Sequence, residues 1–164
     1  MIFHSFLNSG ASMSQGFTFL EILLVVALLA IVTMIAMKAL NPIKQLGDTR
    51  NAQRRSDIIT ISEALYQYTV DNGGTVPADI PQSDDCFSSD SYEICRTGSS
   101  DCAGLVNLSY LTDQQKYLVE IPYDPDKDIV TGNKTGYHVV RNIYGRIQVC
   151  APYAEQEAVI SFVR

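Results

Sequence analysis

The chain has 164 residues, a formal net charge of −6, two histidines and no tryptophan, a length for one ordinary domain with an appendage. It carries no long basic stretch, which leaves binding of a polyanion such as nucleic acid without electrostatic support. The first 40 residues hold one acid, Glu21, and one base, Lys38, and the remainder reads as a mildly acidic globular domain.

Residues 1–16 (MIFHSFLNSGASMSQG) are rich in Ser and Gly and contain no Lys or Arg. They read as a leader. Met13 offers a second start, which would leave a four-residue leader ending in Gly16.

A 21-residue apolar run extends from Phe17 to Met37, and over the sixteen residues from Ile22 only Thr33 is polar. As a helix rising ~1.5 Å per residue it is about 30 Å long, the hydrocarbon thickness of a bilayer. The hydrophobic part of a cleaved secretory signal is shorter, about 7–15 residues. The run therefore predicts a spanning helix over 17–40. Glu21 stands out in it. A carboxylate at membrane depth costs about 2.5–3.5 kcal/mol or more, so it calls for a partner.

Gly16, Phe17 and Glu21, heading a long apolar helix, resemble the shared mark of the type IV pilins and type II secretion pseudopilins. In that family a Gly is followed directly by a Phe, and a Glu stands five residues after the Gly. The resemblance implies cleavage between Gly16 and Phe17 by a prepilin peptidase and N-methylation of Phe17 by the same enzyme. It implies that Glu21 pairs with the freed Phe17 amine of a neighbouring subunit. Gly16, lacking a Cβ, suits a narrow protease cleft. The implied partners are copies of the chain and related pilins, the peptidase, an inner-membrane assembly platform, and membrane lipid before assembly. The implied location is a single-pass membrane protein with an extracytoplasmic head, then an extracellular or periplasmic filament.

The leader departs from the family in lacking cytoplasmic Lys or Arg. Lys38, Lys44, Arg50, Arg54 and Arg55 lie on the far flank instead, which by the positive-inside rule favours the opposite insertion. Two arguments outweigh the rule: the cysteines after the helix need an oxidising compartment, and the peptidase needs Gly16 on the cytoplasmic side.

Residues 41–47 (NPIKQLG) predict a kink or loose segment. Pro42 removes a backbone donor and disfavours helix at Asn41, and Gly47 weakens the next turn. Helix resumes over 48–72, with Asp48 as N-cap and Ile58, Ile61, Leu65 and Tyr68 on one face. Arg54 and Asp57 share that face earlier, so packing of the head is expected only from Ile58 onward. A second stripe, Ile59, Tyr66 and Val70, lies nearly opposite and is a candidate contact with neighbouring subunits. The run Asp71-Asn72-Gly73-Gly74 stops the helix.

The head, 73–164, opens with a Pro, Gly, Ser and Asp-rich segment (75–103) that holds Cys86, Cys95 and Cys102; Cys150 follows later. Four cysteines in a small exported domain predict two disulfides with three possible connectivities. Zinc is the rival, but no C-x-x-C pair is present and the only histidines are His4 and His138. A short helix within 104–118 would turn Leu105, Leu108 and Leu111 inward. In the run YDPDKD, Asp124, Asp126 and Asp128 alternate. This is a calcium-like spacing of oxygen ligands, also found as an ordinary solvated turn at Asp-Pro. Major pseudopilins are similar in using a calcium site in a comparable loop.

Residues 136–141 and 146–151 alternate as strands around a turn at 142–145, and 158–163 can form a third. Cys150 would tie the loop segment to this sheet. His138 reads as a surface or half-buried residue, and no Ser, Cys or His arrangement points to catalysis. The expected fold class is α+β: a long N-terminal helix, transmembrane in its first half, with a small antiparallel sheet packed on its second half. The expected function is a structural filament subunit and not an enzyme. The alternative is a non-polymerising, single-pass anchored extracytoplasmic binding module.

Overall fold

A computed structural model describes residues 16–164 of the chain; the leader, apart from Gly16, lies outside the described residues. Two units divide between Asn41 and Pro42.

The first unit is helix α1, Phe19–Leu40. Its stretch Phe19–Lys38 is long and apolar enough to cross a membrane. The one polar side chain in the interior of this run is satisfied within the helix. Thr33 donates its hydroxyl to the carbonyls of Ala30 at 2.8 Å and Leu29 at 3.0 Å, so it brings no unmet hydrogen bond into an apolar phase. The helix ends at Leu40, and Asn41 takes a left-handed conformation, φ 39° and ψ 76°.

The second unit starts at once with helix α2, Pro42–Asp71. Proline suits a first helical position, where its missing N–H is not needed. The expected interruption over 41–47 is thus confined to Asn41, and Asp48 is an interior residue rather than an N-cap. Gly47 does not loosen the helix; it makes room. A Cβ there would lie 2.6 Å from the Gln156 side-chain nitrogen and 3.0 Å from a Glu155 carboxylate oxygen. The expected stop holds: Gly73 and Gly74 take φ of +68° and +86°, and Gly74 N–H bonds the Thr69 carbonyl at 2.8 Å.

Four strands follow: β1 (Glu93–Cys95), β2 (Lys134–Arg141), β3 (Ile147–Ala151) and β4 (Ile160–Val163). They form one antiparallel sheet in the order β1-β2-β3-β4. The last three match the expected strands. β1 lies inside the segment read as loop. Between β1 and β2, the expected helix of 104–118 is two short 3-10 turns, Ser109–Leu111 and Asp113–Gln115. Leu108 and Leu111 are buried as anticipated, and Leu105 is half-buried.

Alternation along the strands sorts the sheet into two faces. Tyr137, Val139, Ile147, Val149 and Ile160 join Ile58, Ile61 and Leu65 of α2 in the main core. Burying a side chain such as Ile61 or Leu65 stabilises by about 1.5–3 kcal/mol each. The other face carries Val140 and Cys150, covered by Cys86 and Tyr92. His138 shares that face and is buried, with Nδ1 3.0 Å from the Cys86 carbonyl, deeper than the surface or half-buried place expected of it. The disulfides are Cys86–Cys150 and Cys95–Cys102. The first joins the loop segment to the sheet; with all four cysteines oxidised, none is left for zinc. A membrane-length helix followed by a disulfide-bonded domain points to an extracytoplasmic head.

Candidate functional site

Two places concentrate unusual chemistry: the start of α1 and a polar seam on α2. At the first, Gly16, Phe17 and Thr18 precede the helix. Gly16 has open space around it, and Phe17 is 78% exposed. Thr18 is the N-cap, with extended backbone, and its hydroxyl oxygen accepts from the Glu21 N–H at 3.2 Å. Glu21 therefore stands at the third helical position. A carboxylate there interacts favourably with the positive end of the helix dipole. Among the described residues no side chain pairs with the Glu21 carboxylate. The cap was missed by sequence reasoning, although its signal, T-x-x-E ahead of an apolar run, is present as Thr18-Phe19-Leu20-Glu21.

The second place overturns the expectation that packing begins at Ile58. Gly47, Asn51, Arg54 and Asp57 are all buried. Arg54, with no exposed surface, grips Asp124 with two parallel bonds, Nε to Oδ2 at 2.7 Å and Nη2 to Oδ1 at 2.8 Å. This bidentate geometry is the strongest a guanidinium offers a carboxylate. Its third nitrogen donates at 3.0 Å to both Asn51 Oδ1 and Glu155 Oε1. Arg50 reaches the same carboxylate, Nη2 to Glu155 Oε2 at 2.6 Å. Asn51 exchanges two bonds with the Glu155 backbone, at 2.8 and 3.0 Å, and Gln156 donates to the Lys44 carbonyl at 2.7 Å. One turn on, Asp57 accepts from the Tyr137 hydroxyl and from Gln53, each at 2.7 Å.

Ionisation follows from these contacts. The Arg50 hydrogen bond, with help from Arg54, holds the Glu155 carboxyl down at about 2. Burial pushes the Asp57 carboxyl up against its two donors. Burial also works against the charge on Arg54, but the bonds to Asp124 and Glu155 outweigh it and hold the guanidinium above its ordinary value. The approach of Asp124 depends on Gly136, at φ +80°, where a Cβ would stand 2.8 Å from the Asp124 Cβ.

The calcium reading of the acidic run fails on this geometry. Asp124 is buried and gives both oxygens to Arg54, so it is neither a free ligand nor part of a solvated turn. The carboxylates of Asp124 and Asp126 instead accept from the backbone N–H two residues on, at 2.9 and 3.1 Å. Among the described residues no group of three or more His, Cys, Asp or Glu side chains is set to hold a metal ion.

The outer stripe of α2 is exposed: Ile59 39%, Tyr66 46% and Val70 57%. Tyr66 lies beneath the Arg164 guanidinium, 4.0 Å from the ring centre. No family model, curated protein or solved structure matches the chain.

Proposed function

We propose that the chain is a structural subunit of a type IV pilus-like or type II secretion pseudopilus filament, processed between Gly16 and Phe17 and assembled through α1. The observation that carries this reading is the composition of the α1 start. A Gly-Phe junction lies outside the helix, and the single carboxylate of a membrane-length helix sits one turn inside it.

Cleavage would free the Phe17 amine beside the positive end of the α1 dipole, where an ammonium is unfavourable. A carboxylate offered by a neighbour relieves that. Before assembly the apolar helix is stored in lipid. In a filament such helices bundle with one another, and ammonium and carboxylate attract strongly in that low dielectric. An unpaired Glu21 there is penalised, so Glu21 selects the axial register. Phe17 would carry the N-methyl group. The partners are further copies, related pilins, the prepilin peptidase and an assembly platform in the inner membrane.

The test is mass spectrometry of the chain isolated from membranes. The expected N-terminus is N-methylated Phe17; a retained leader would overturn the proposal. One observation favours the rival, a non-polymerising anchored module: Glu21 stands in the first turn of α1, where the helix dipole favours a carboxylate without any neighbour. Electron microscopy separates the two, since the rival gives no filaments from the parent chain, and Glu21→Ala then tests the register role. The subunit reading expects cleaved chains without filaments, and filaments of normal length and number would sink the register role.

A further inference from the structure

Resting on the reading that copies of this chain assemble, we propose that their heads dock front to back: the acidic loop around Phe87 of one copy seats in the groove beside Tyr66 of the next. The groove, about 270 Å³, lies between the outer side of α2 and the β2–β3 turn. Val76 and Ile147 form its apolar floor, Tyr66 and the 83% exposed Tyr144 its walls, and Arg146 and Arg164 its rim. No acid lines it. Among the described residues neither rim guanidinium has an ion-pair partner; that of Arg164 rests only on the Tyr66 ring.

Such a site, apolar below and doubly cationic above, suits an aromatic side chain flanked by carboxylates. The chain presents that pattern as Asp84-Asp85-Cys86-Phe87; of the other aromatics flanked by acids, Tyr92 packs on the sheet and Tyr123 is covered by the Arg96 guanidinium. Phe87 is 40% exposed, and Asp84, Asp85 and Asp90 beside it in the chain are exposed, with no ion pair to any of the described residues. No Lys or Arg occurs between Arg55 and Arg96. The loop is already shaped for binding, which lowers the ordering cost. The Cys86–Cys150 bond anchors it, and Asp85 accepts from the Phe87 N–H at 2.9 Å.

The geometry decides for a second copy rather than for closure within one head. Cys86 covers the sheet face that carries Val140 and Cys150, while α2 and the groove belong to the face of Val139 and Val149. Donor and acceptor surfaces thus sit on opposite faces of the sheet. A contact of that kind is heterologous, the class that builds either closed rings or open filaments. The overall acidity argues in the same direction. Of 12 bases and 18 acids, only Lys38 and Glu21 precede Pro42, which leaves 11 and 17 in the second unit. A free polyanion is repelled by such a surface, whereas a neighbour's loop brings only a few carboxylates to the two arginines.

The experiment replaces Phe87 by a photoreactive benzophenone amino acid in the full chain in its native membrane. The expected products are adducts between copies whose joined peptide contains Tyr144. Reversing the rim (Arg146→Glu with Arg164→Glu) or the loop (Asp84→Arg with Asp85→Arg) lowers adduct yield about tenfold, and the two reversals combined in one chain restore it to within about twofold. Restoration also shows that the reversed chains fold. An adduct mapping elsewhere on a second copy, only to nucleic acid, or only to another protein would overturn the proposal, as would reversals without effect or a combination that does not restore. Membrane-borne chains that give the Phe87–Tyr144 adduct but never enter filaments would overturn the filament reading and keep this contact. Filaments without the adduct would do the opposite.

Discussion

Helix α1 leaves the described side chains from Phe19 to Lys38 exposed, apolar almost throughout, while α2 buries Asn51, Arg54 and Asp57 beside Ile58, Ile61 and Leu65. Residue type alone predicts the reverse. The contrast teaches that burial here is decided by available partners. Arg54 has Asp124 and Glu155 waiting in the same unit; the side chains of Phe19 to Lys38 stay exposed among the described residues, so burying them calls for an apolar phase.

The largest effect that sharpens this contrast is expected from Arg54→Ala. Removing one partner of a buried pair leaves an uncompensated carboxylate at Asp124 and costs about 3–5 kcal/mol. Urea unfolding of the head should show it, and the volume-matched pair Arg54→Met with Asp124→Leu should lose far less. Equal losses in the two variants would mean that charge burial is not the cause. Next come the disulfides. The loop-closure argument gives about 4 kcal/mol for Cys86–Cys150, separated by 64 residues, and about 2.5 kcal/mol for Cys95–Cys102, separated by 7. Serine pairs at each should rank in that order in thermal melts.

A smaller effect concerns acid. Glu155 is held at about 2 in the fold against an ordinary 4.5, so its unfolded form binds the proton first as pH falls. Its stabilisation is complete above about 4.5 and disappears as pH falls towards 2. Melting temperature measured across that window should drop, and Glu155→Gln should remove this part of the slope. A variant with the same acid slope as the parent would break the assignment. Smallest of all is the effect of Glu21→Ala on the head. Because Glu21 is in the other unit, head unfolding should not move, even where assembly is lost. A shifted head transition would mean that the two units are not independent.

Much of the fold was legible. The apolar run marked α1, Gly73 and Gly74 marked the end of α2, and alternation around Asn142–Gly145 marked β2 and β3. Strand β1 was not, because three residues within a Ser- and Asp-rich stretch show no periodicity; its identity comes from pairing with β2, about forty residues later. The polar seam was hidden for a similar reason. Arg54 and Asp57 on a helix face read as solvated, and only the fold brings Asp124, 70 residues away, and Glu155, 101 residues away, against Arg54. The alternate aspartates misled because spacing says nothing about direction, and Asp124 turns inward past Gly136. In the α1 start, Gly16, Phe17 and Glu21 were readable, but Thr18 was passed over because the helix was drawn from residue 17, two residues before its start at Phe19.

The seam also has a mechanical meaning. A tensile load entering the head along α2 at Pro42 meets Lys44, Asn51 and Arg54 before it meets any aliphatic core residue, and these hold the segment around Glu155 and the anchored Asp124. The bonds Asn51–Glu155 and Arg54–Asp124 share the strain side by side, as rivets in a lap joint do, instead of opening one after another. Of the two, Asp124 lies within the covalent loop closed by Cys86–Cys150, whereas the segment around Glu155 follows Cys150 and lies beyond it. No disulfide holds β4, so polar contacts, strand pairing and the burial of Ile160 keep it from peeling when the helix is pulled.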